Sequence, residues 1–418
     1  MRALKQPADE NPDNEHSQHF DYDVAKFMLQ LTSILYEREN DSIRKAVHVL
    51  ANTRPLSYAP IIGGAAQNIV SNSFQERLIP GDLVRSRFGA EKADEVRKML
   101  DSRGDMLIKD WCMRFGIEFE VVSELNDTAS TFAGLFWDPR SNWIMVACKG
   151  ATPAEFGEWL STFDPVLVES GDHSTGFKFH KGSRERVFPS EPCDLGHITP
   201  YDSISLGVKT LAKHLRRTNG LPQGAKINVW FTGHSFGCAT ASLVYSKFLT
   251  SPEDMGKNAE LRDVYLFGAP AISDTKYVQV FNQKMLEDPK CQRAMWRITS
   301  NGDAVAVCFP KARDWPLHFS YSNVAFVHLG TEVKLRDYPL KCVIVENRTV
   351  CVSSHFTTEQ IAAQRSDRYT QQGEERRELV GMLLQRIPIF GRLFAPCAMY
   401  YWDQLNRVSL GQCEQIVG

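Results

Sequence analysis

Residues Ile227–Leu249 read INVWFTGHSFGCATASLVYSKFL, and the middle of this stretch, Gly233-His234-Ser235-Phe236-Gly237, joins two runs of different character. The run before it is short and apolar, as a buried strand is. The run after it is rich in small residues (Cys238, Ala239, Ala241) and suits a helix lying close to a sheet. A Gly-x-Ser-x-Gly pattern between a strand and a helix is the setting of a nucleophile elbow. The two glycines permit a bend where side chains would collide. Ser235 is expected at its tip with the hydroxyl exposed. The first N–H groups of the new helix would face any oxyanion formed there. His234 is not expected to act as base, because a neighbour along the turn points away from its serine.

A serine hydroxyl becomes a good nucleophile only when a base takes its proton and an acid orients that base. On an elbow the chain order is serine, acid, histidine, with the acid near the end of a later strand. Asp303 fits, just past the strand candidate in AMWRITSNGD. Asp263 and Asp274, which flank the strand between, are held in reserve.

Composition sets the frame. The 418 residues suffice for one large core with extensions, or for two domains. Forty-eight basic residues against 50 acidic ones, a net charge of −2, give no long-range attraction to nucleic acid or anionic lipid. The first 20 residues contain no apolar leader, and no stretch approaches ~18 uninterrupted apolar residues. A cytoplasmic location is therefore expected. The ten cysteines show no CxxC pair and no zinc spacing, so reduced, mostly buried thiols are expected and no metal.

Residues 1–20 are polar and are read as a disordered tail. Residues 21–115 read as an N-terminal helical extension, opened by DYDVAKFMLQLTSILYE with Val24, Phe27, Met28, Leu31 and Leu35 at helical spacing. From 116 to 345 short β-rich runs (FEVVSEL, AGLFWD, NWIMVAC, KINVWFT, RDVYLFGAP, AMWRITS) come between helical ones. One of these, DSISLGVKTLAKHLRR, puts Ile204, Val208, Leu211 and Leu215 on one face. Such alternation predicts an α/β fold with a mostly parallel sheet covered on both sides. Residues 346–418 are charged, then aromatic, and are read as a helical extension packed on this core.

Motifs in a fixed order then carry a resemblance over roughly residues 118–335. NWIMVACKGATPAEFGEWLSTF, FKFHKGS, FTGHSFGCATASL, LFGAPAISD, WRITSNGDAVAVCFP and FVHLGTEVKL are together similar to the fungal-type class 3 lipases. These are a triacylglycerol lipase branch of the α/β hydrolases. The resemblance implies an α/β-hydrolase fold, Ser235 as nucleophile and Asp303 as triad acid. It implies an oxyanion hole built from backbone N–H groups of Phe236 and of Ala151 or Thr152. It places a lid at TPAEFGEWLSTF, with Phe156, Trp159, Leu160 and Phe163 as its apolar face. No cofactor and no metal are implied. The partner is a lipid or ester small molecule rather than nucleic acid, and the substrate class leaves open a transient contact with a membrane surface.

The base is the open position. His318, His328 and His355 follow Asp303. His328 matches a family histidine that is not the base, and His318 comes only a short way after the acid. His355, in a polar turn ahead of a helical run, has the right chain order and is the candidate. The alternative is that no base exists. APCAMYYWDQL resembles the family's C-terminal stretch, and counting back from Tyr401 reaches Pro396 and Cys397, neither of which shuttles protons as imidazole does. Two functions follow: a serine hydrolase of carboxylic esters, acylglycerols foremost, or a catalytically impaired scaffold that binds lipid or protein.

Overall fold

The structure is a computed structural model. It describes residues 20–38, 91, 106–124, 132–150, 167–170, 177–188, 199–288, 293–300, 303, 305–306, 326–336, 341–345, 350–354, 398–407 and 413–417. Its helices are α1 (Tyr22–Ile34), α2 (Met106–Phe115), α3 (Lys181–Val187), α4 (Pro200–Thr218), α5 (Gly237–Thr250), α6 (Thr275–Met285) and α7 (Ala398–Arg407). Its strands up to the elbow are β1 (Glu118–Glu124), β2 (Phe132–Trp137), β3 (Trp143–Cys148), β4 (Leu167–Glu169), β5 (Lys178–His180) and β6 (Ile227–His234). Those after it are β7 (Ala259–Phe267), β8 (Met295–Ser300), β9 (Thr331–Arg336), β10 (Lys341–Val345), β11 (Val350–Ser354) and β12 (Cys413–Val417).

Ten strands form one sheet in the order β1-β2-β3-β6-β7-β8-β9-β10-β11-β12, and β4 and β5 pair separately. The centre, β3-β6-β7-β8-β9, is parallel, and the strands on either side are antiparallel. The β3 and β6 strands are buried at every position, as central parallel strands covered on both faces must be. Alternate side chains divide between two cores. Ile144, Val146, Val229 and Phe231 join the helices α4, α5 and α6 on one face. Trp143, Met145 and Trp230 join α1, α2 and α7 on the other. This is the α/β-hydrolase fold expected above.

The helices follow their sequence signals. Helix α4 starts at a capping box between Thr199 and Asp202 with Pro200 in the first turn, and it buries Ile204, Val208, Leu211 and Leu215, the face foreseen from spacing. Helix α1 is capped by Asp21, whose side chain accepts from the N–H groups of Asp23 and Val24, and it buries Val24, Met28 and Leu31. Phe27 is only partly buried and meets Trp143 edge-on at 5.9 Å.

Beyond residue 345 the described residues depart from an all-helical extension. Only α7 is helical there, while β11 and β12 pair with each other and lengthen the sheet. The reason is local: Val350-Cys351-Val352 is a β-prone run. The charged run that suggested helix, residues 357–387, lies outside the described residues.

Register decides where the chemistry can sit. Cys148 lies opposite Gly233, His234 opposite Phe267, and Phe267 opposite Ile298. The C-terminal ends of β3, β6, β7 and β8 therefore form one edge, which is where open α/β sheets place their sites.

Candidate active site

Strand β6 ends at His234 and helix α5 begins at Gly237, so Ser235 and Phe236 make the whole turn. Ser235 has φ +55° and, among the described residues, is the one non-glycine with positive φ. That conformation costs an L-residue about 1–2 kcal/mol. The neighbours impose it. A β-carbon on Gly233 would stand 2.8 Å from backbone atoms of Gly237, and one on Gly237 would stand 2.2 Å from the carbonyl oxygen of Cys148. The Ser235 N–H donates to the Phe267 carbonyl at 2.8 Å, and its own carbonyl accepts from the Cys238 N–H at 3.0 Å. Phe236 is the N-cap of α5 and makes no side-chain capping hydrogen bond.

One expectation needs correction. Ser235 was expected exposed, yet only 7% of its surface is accessible. The cause is Gly150, at the end of β3, together with Tyr36, which follows α1. A β-carbon on Gly150 would stand 2.9 Å from Ser235 Cβ, 2.6 Å from the His234 carbonyl oxygen and 2.8 Å from Tyr36 Oη. The serine is thus closely packed at the turn.

Asp303 follows β8 at the same edge and is 1% exposed. Its Oδ1 accepts from the N–H groups of Val305 (2.8 Å) and Ala306 (3.3 Å), and its Oδ2 accepts a short bond from the Tyr401 hydroxyl. Burial raises its carboxyl above the ordinary carboxylate value, and these three donors work against that rise. Burial and the Asp303 charge push the Tyr401 phenol well above its usual value, so it keeps the proton it donates. The Tyr401 oxygen in turn accepts from the Ser300 N–H at 3.2 Å. Gly268, φ +73°, makes room, since a β-carbon there would stand 2.6 Å from Asp303 Oδ2.

His234, the residue before the serine, is engaged by tyrosines. Its Nδ1 shares a 2.7 Å hydrogen bond with Tyr36 Oη, and its ring meets the Tyr401 ring edge-on at 6.2 Å. The reserve acids have structural work elsewhere. Asp274 caps α6 through the Tyr277 N–H and also accepts from the Lys178 N–H. Asp263 accepts from the Ala294 N–H. His328 lies in the segment entering β9. Ala151, Thr152, the lid segment, His318, His355, Pro396 and Cys397 lie outside the described residues. Cys112, Cys148 and Cys238 are free thiols, all buried. Among the described residues no three His, Cys, Asp or Glu side chains gather to hold a metal, and no helix is long and apolar enough to cross a membrane.

Two tyrosines escaped the sequence reading. Tyr401 served there only as a landmark for counting. Tyr36 carries no local signal, because its partner His234 is 198 residues away.

Comparison with known proteins bears on this site. Residues 145–312 match the family model for Lipase (class 3). That span contains Gly150, Ser235 and Asp303 but neither tyrosine. A triacylglycerol lipase of Ricinus communis, OBL1, is 22% identical over 289 residues, which is 59% of this chain and 52% of that protein. The chain thus spans about half the length of the curated relative it matches. Among solved structures, a Rhizomucor miehei lipase in a propeptide complex is 18% identical, with 68% of this chain and 69% of that one covered and a TM-score of 0.37. A mono- and diacylglycerol lipase from Aspergillus oryzae is 15% identical, with 70% and 87% covered and a TM-score of 0.37. The elbow, the acid and the family match coincide in one segment, residues 145–312, where this chain is similar to the class 3 lipases.

Proposed function

We propose that this protein is a serine hydrolase of carboxylic esters, with acylglycerols or related lipids as substrates. One observation carries the reading: Ser235 is held in a left-handed turn at the end of β6, at a helix start without a side-chain cap, with only β7 between β6 and the strand that leads to buried Asp303. Ser235 Oγ attacks the ester carbonyl and an acyl-enzyme forms as the alcohol leaves. The Phe236 N–H, with that of Ala151 or Thr152, holds the tetrahedral oxyanion. His355 takes the serine proton and returns it to the leaving alcohol, and water then releases the acid.

Asp303 can still receive such a base. An ionised carboxylate offers about four lone-pair positions. Val305 and Ala306 fill the two on Oδ1, and Tyr401 fills one on Oδ2. An imidazole N–H would take the second position on Oδ2.

A second reading, a binding scaffold without turnover, is favoured by the helix that reaches Asp303. Helix α7 brings a phenol and no imidazole, and the residues just ahead of it are Pro396 and Cys397. A fluorophosphonate probe separates the two. Labelling of the wild type that vanishes in Ser235→Ala supports the hydrolase, and an unlabelled wild type supports the scaffold.

Contact with a lipid surface belongs to the same proposal. Five of the six large apolar side chains exposed among the described residues lie on α2: Met106, Leu107, Trp111, Met113 and Phe115. Arg114 stands 5.0 Å over the Trp111 ring, and the opposite stripe, Ile108 and Cys112, is buried. An apolar face with an aromatic and a cation suits the edge of a bilayer. Trp111→Asp with Met113→Asp is expected to abolish co-sedimentation with phosphatidylcholine vesicles and to spare probe labelling; unchanged sedimentation would rule α2 out.

A further inference from the structure

We propose that Tyr36, outside the matched lipase segment, is a positioning residue for the nucleophile, holding the Ser235 turn through His234. The inference rests on the hydrolase reading above.

The strained turn is where the argument starts. A serine at φ +55° persists only if its surroundings over-determine it. Its backbone is held on one side by the bond to Phe267, and the residue before it, His234, is held by its side chain. The Tyr36 hydroxyl lies 2.7 Å from His234 Nδ1, with the two rings edge to face at 5.5 Å. The same hydroxyl comes within 2.8 Å of the point that a Gly150 β-carbon would occupy, and Ser235 Cβ lies 2.9 Å from that point. Tyr36, His234, Gly150 and Ser235 therefore meet at one place.

Tyr36 is itself firmly delivered. It sits in the single 3-10 turn Leu35–Glu37 that ends α1. The helix is fixed by Thr32 Oγ1, which donates to the Cys148 carbonyl at 3.2 Å, and by fully buried Leu31 and Leu35. The Lys149 ammonium stands 5.6 Å over the Tyr36 ring and adds a cation–π contact. The Tyr401 ring, carried by α7, which packs on α1, also meets the imidazole edge to face at 6.2 Å. The imidazole thus meets one tyrosine from each side of the matched segment in sequence. Tyr36 touches no reacting atom. It restricts His234, and His234 is bonded directly to the residue that must not move.

The test uses the full chain. Tyr36→Phe removes one oxygen and keeps the ring. Fluorophosphonate labelling and kcat on a short-chain p-nitrophenyl ester are expected to fall about five- to tenfold, the weight of one hydrogen bond, with KM unchanged. His234→Ala is expected to fall similarly, and the double variant no further than the worse single one. Leu215→Ala opens the core on the opposite face of the sheet, away from α1 and the turn, and is expected to lower the melting temperature while leaving kcat alone. Wild-type labelling in Tyr36→Phe, additive losses in the double variant, or an equal kcat loss in Leu215→Ala would each overturn the assignment. A wild type that is never labelled overturns the hydrolase reading first and this inference with it.

Discussion

Ser235 and Asp303 stand at the same sheet edge, at the ends of strands separated only by β7, yet the fold holds them by opposite means. The serine is held by shape. Two glycines leave no room for any other path, and the left-handed backbone stores the strain. The acid is held by hydrogen bonds, three donors on one carboxylate, in a place where burial alone would push it toward its neutral form. In the proposed reaction a nucleophile must be aimed, and crowding would aim it. An orienting acid must stay charged, and the three donors on Asp303 oppose the rise that burial imposes.

Gly237→Ala breaks the first half of this contrast. The added methyl would stand 2.2 Å from the Cys148 carbonyl oxygen, which is backbone and cannot swing away. A loss of about 3 kcal/mol or more is expected in urea unfolding, together with loss of Ser235 labelling. Native stability in this variant would show that crowding does not hold the turn.

The second half is broken by Asp303→Asn. The amide oxygen still serves Val305 and Ala306, so the fold is expected to survive. Turnover on an ester substrate should drop on the order of 10⁴ if the carboxylate orients a base. An unchanged kcat would remove Asp303 from the chemistry.

Tyr401→Phe sharpens the comparison without breaking it. Asp303 loses one donor and the Ser300 N–H loses its acceptor, so unfolding is expected about 1–3 kcal/mol earlier, with turnover reduced about tenfold. If turnover rises instead, Tyr401 competes with the base for the carboxylate.

The smallest effect concerns a buried carboxylate with fewer donors. Burial raises Asp263 from 3.8 to about 7, only partly offset by the Ala294 N–H and by Arg262 and Arg293. Between pH about 4 and 7 the folded protein then binds more protons than the unfolded chain. Asp263 thus contributes its stability fully below about pH 4, and this is lost as the pH rises through about 7. Asp263→Asn keeps an acceptor for Ala294 and should flatten that fall. Melting temperatures of the two proteins from pH 5 to 8 should diverge in favour of the variant; parallel curves would refute the shift.

What the amino acids alone revealed divides along similar lines. The elbow was legible because strand, turn and helix are contiguous, and the glycines at 233 and 237 mark the crowding directly. Asp303 was legible as the first acid past a strand, and the buried face of α4 from its spacing. The depth of Ser235 was not, because Tyr36 and Gly150, which close over it, come from distant parts of the chain. Nor were the partners of His234 and Asp303. Tyr36 and Tyr401 reach them across 198 and 98 residues, and no local pattern announces such a contact. The strands β11 and β12 were hidden by the charged run between them, which dominated the reading of the tail.

The span from Asp303 to Tyr401 also governs when the protein comes alive on the ribosome. A nascent chain that has just emerged past Asp303 carries a carboxylate whose phenol is 98 codons from being translated. The elbow can bend early, since its glycines arrive with it. The hydrogen bond from Tyr401 to Asp303 forms only after the strands β3 to β9 have been made.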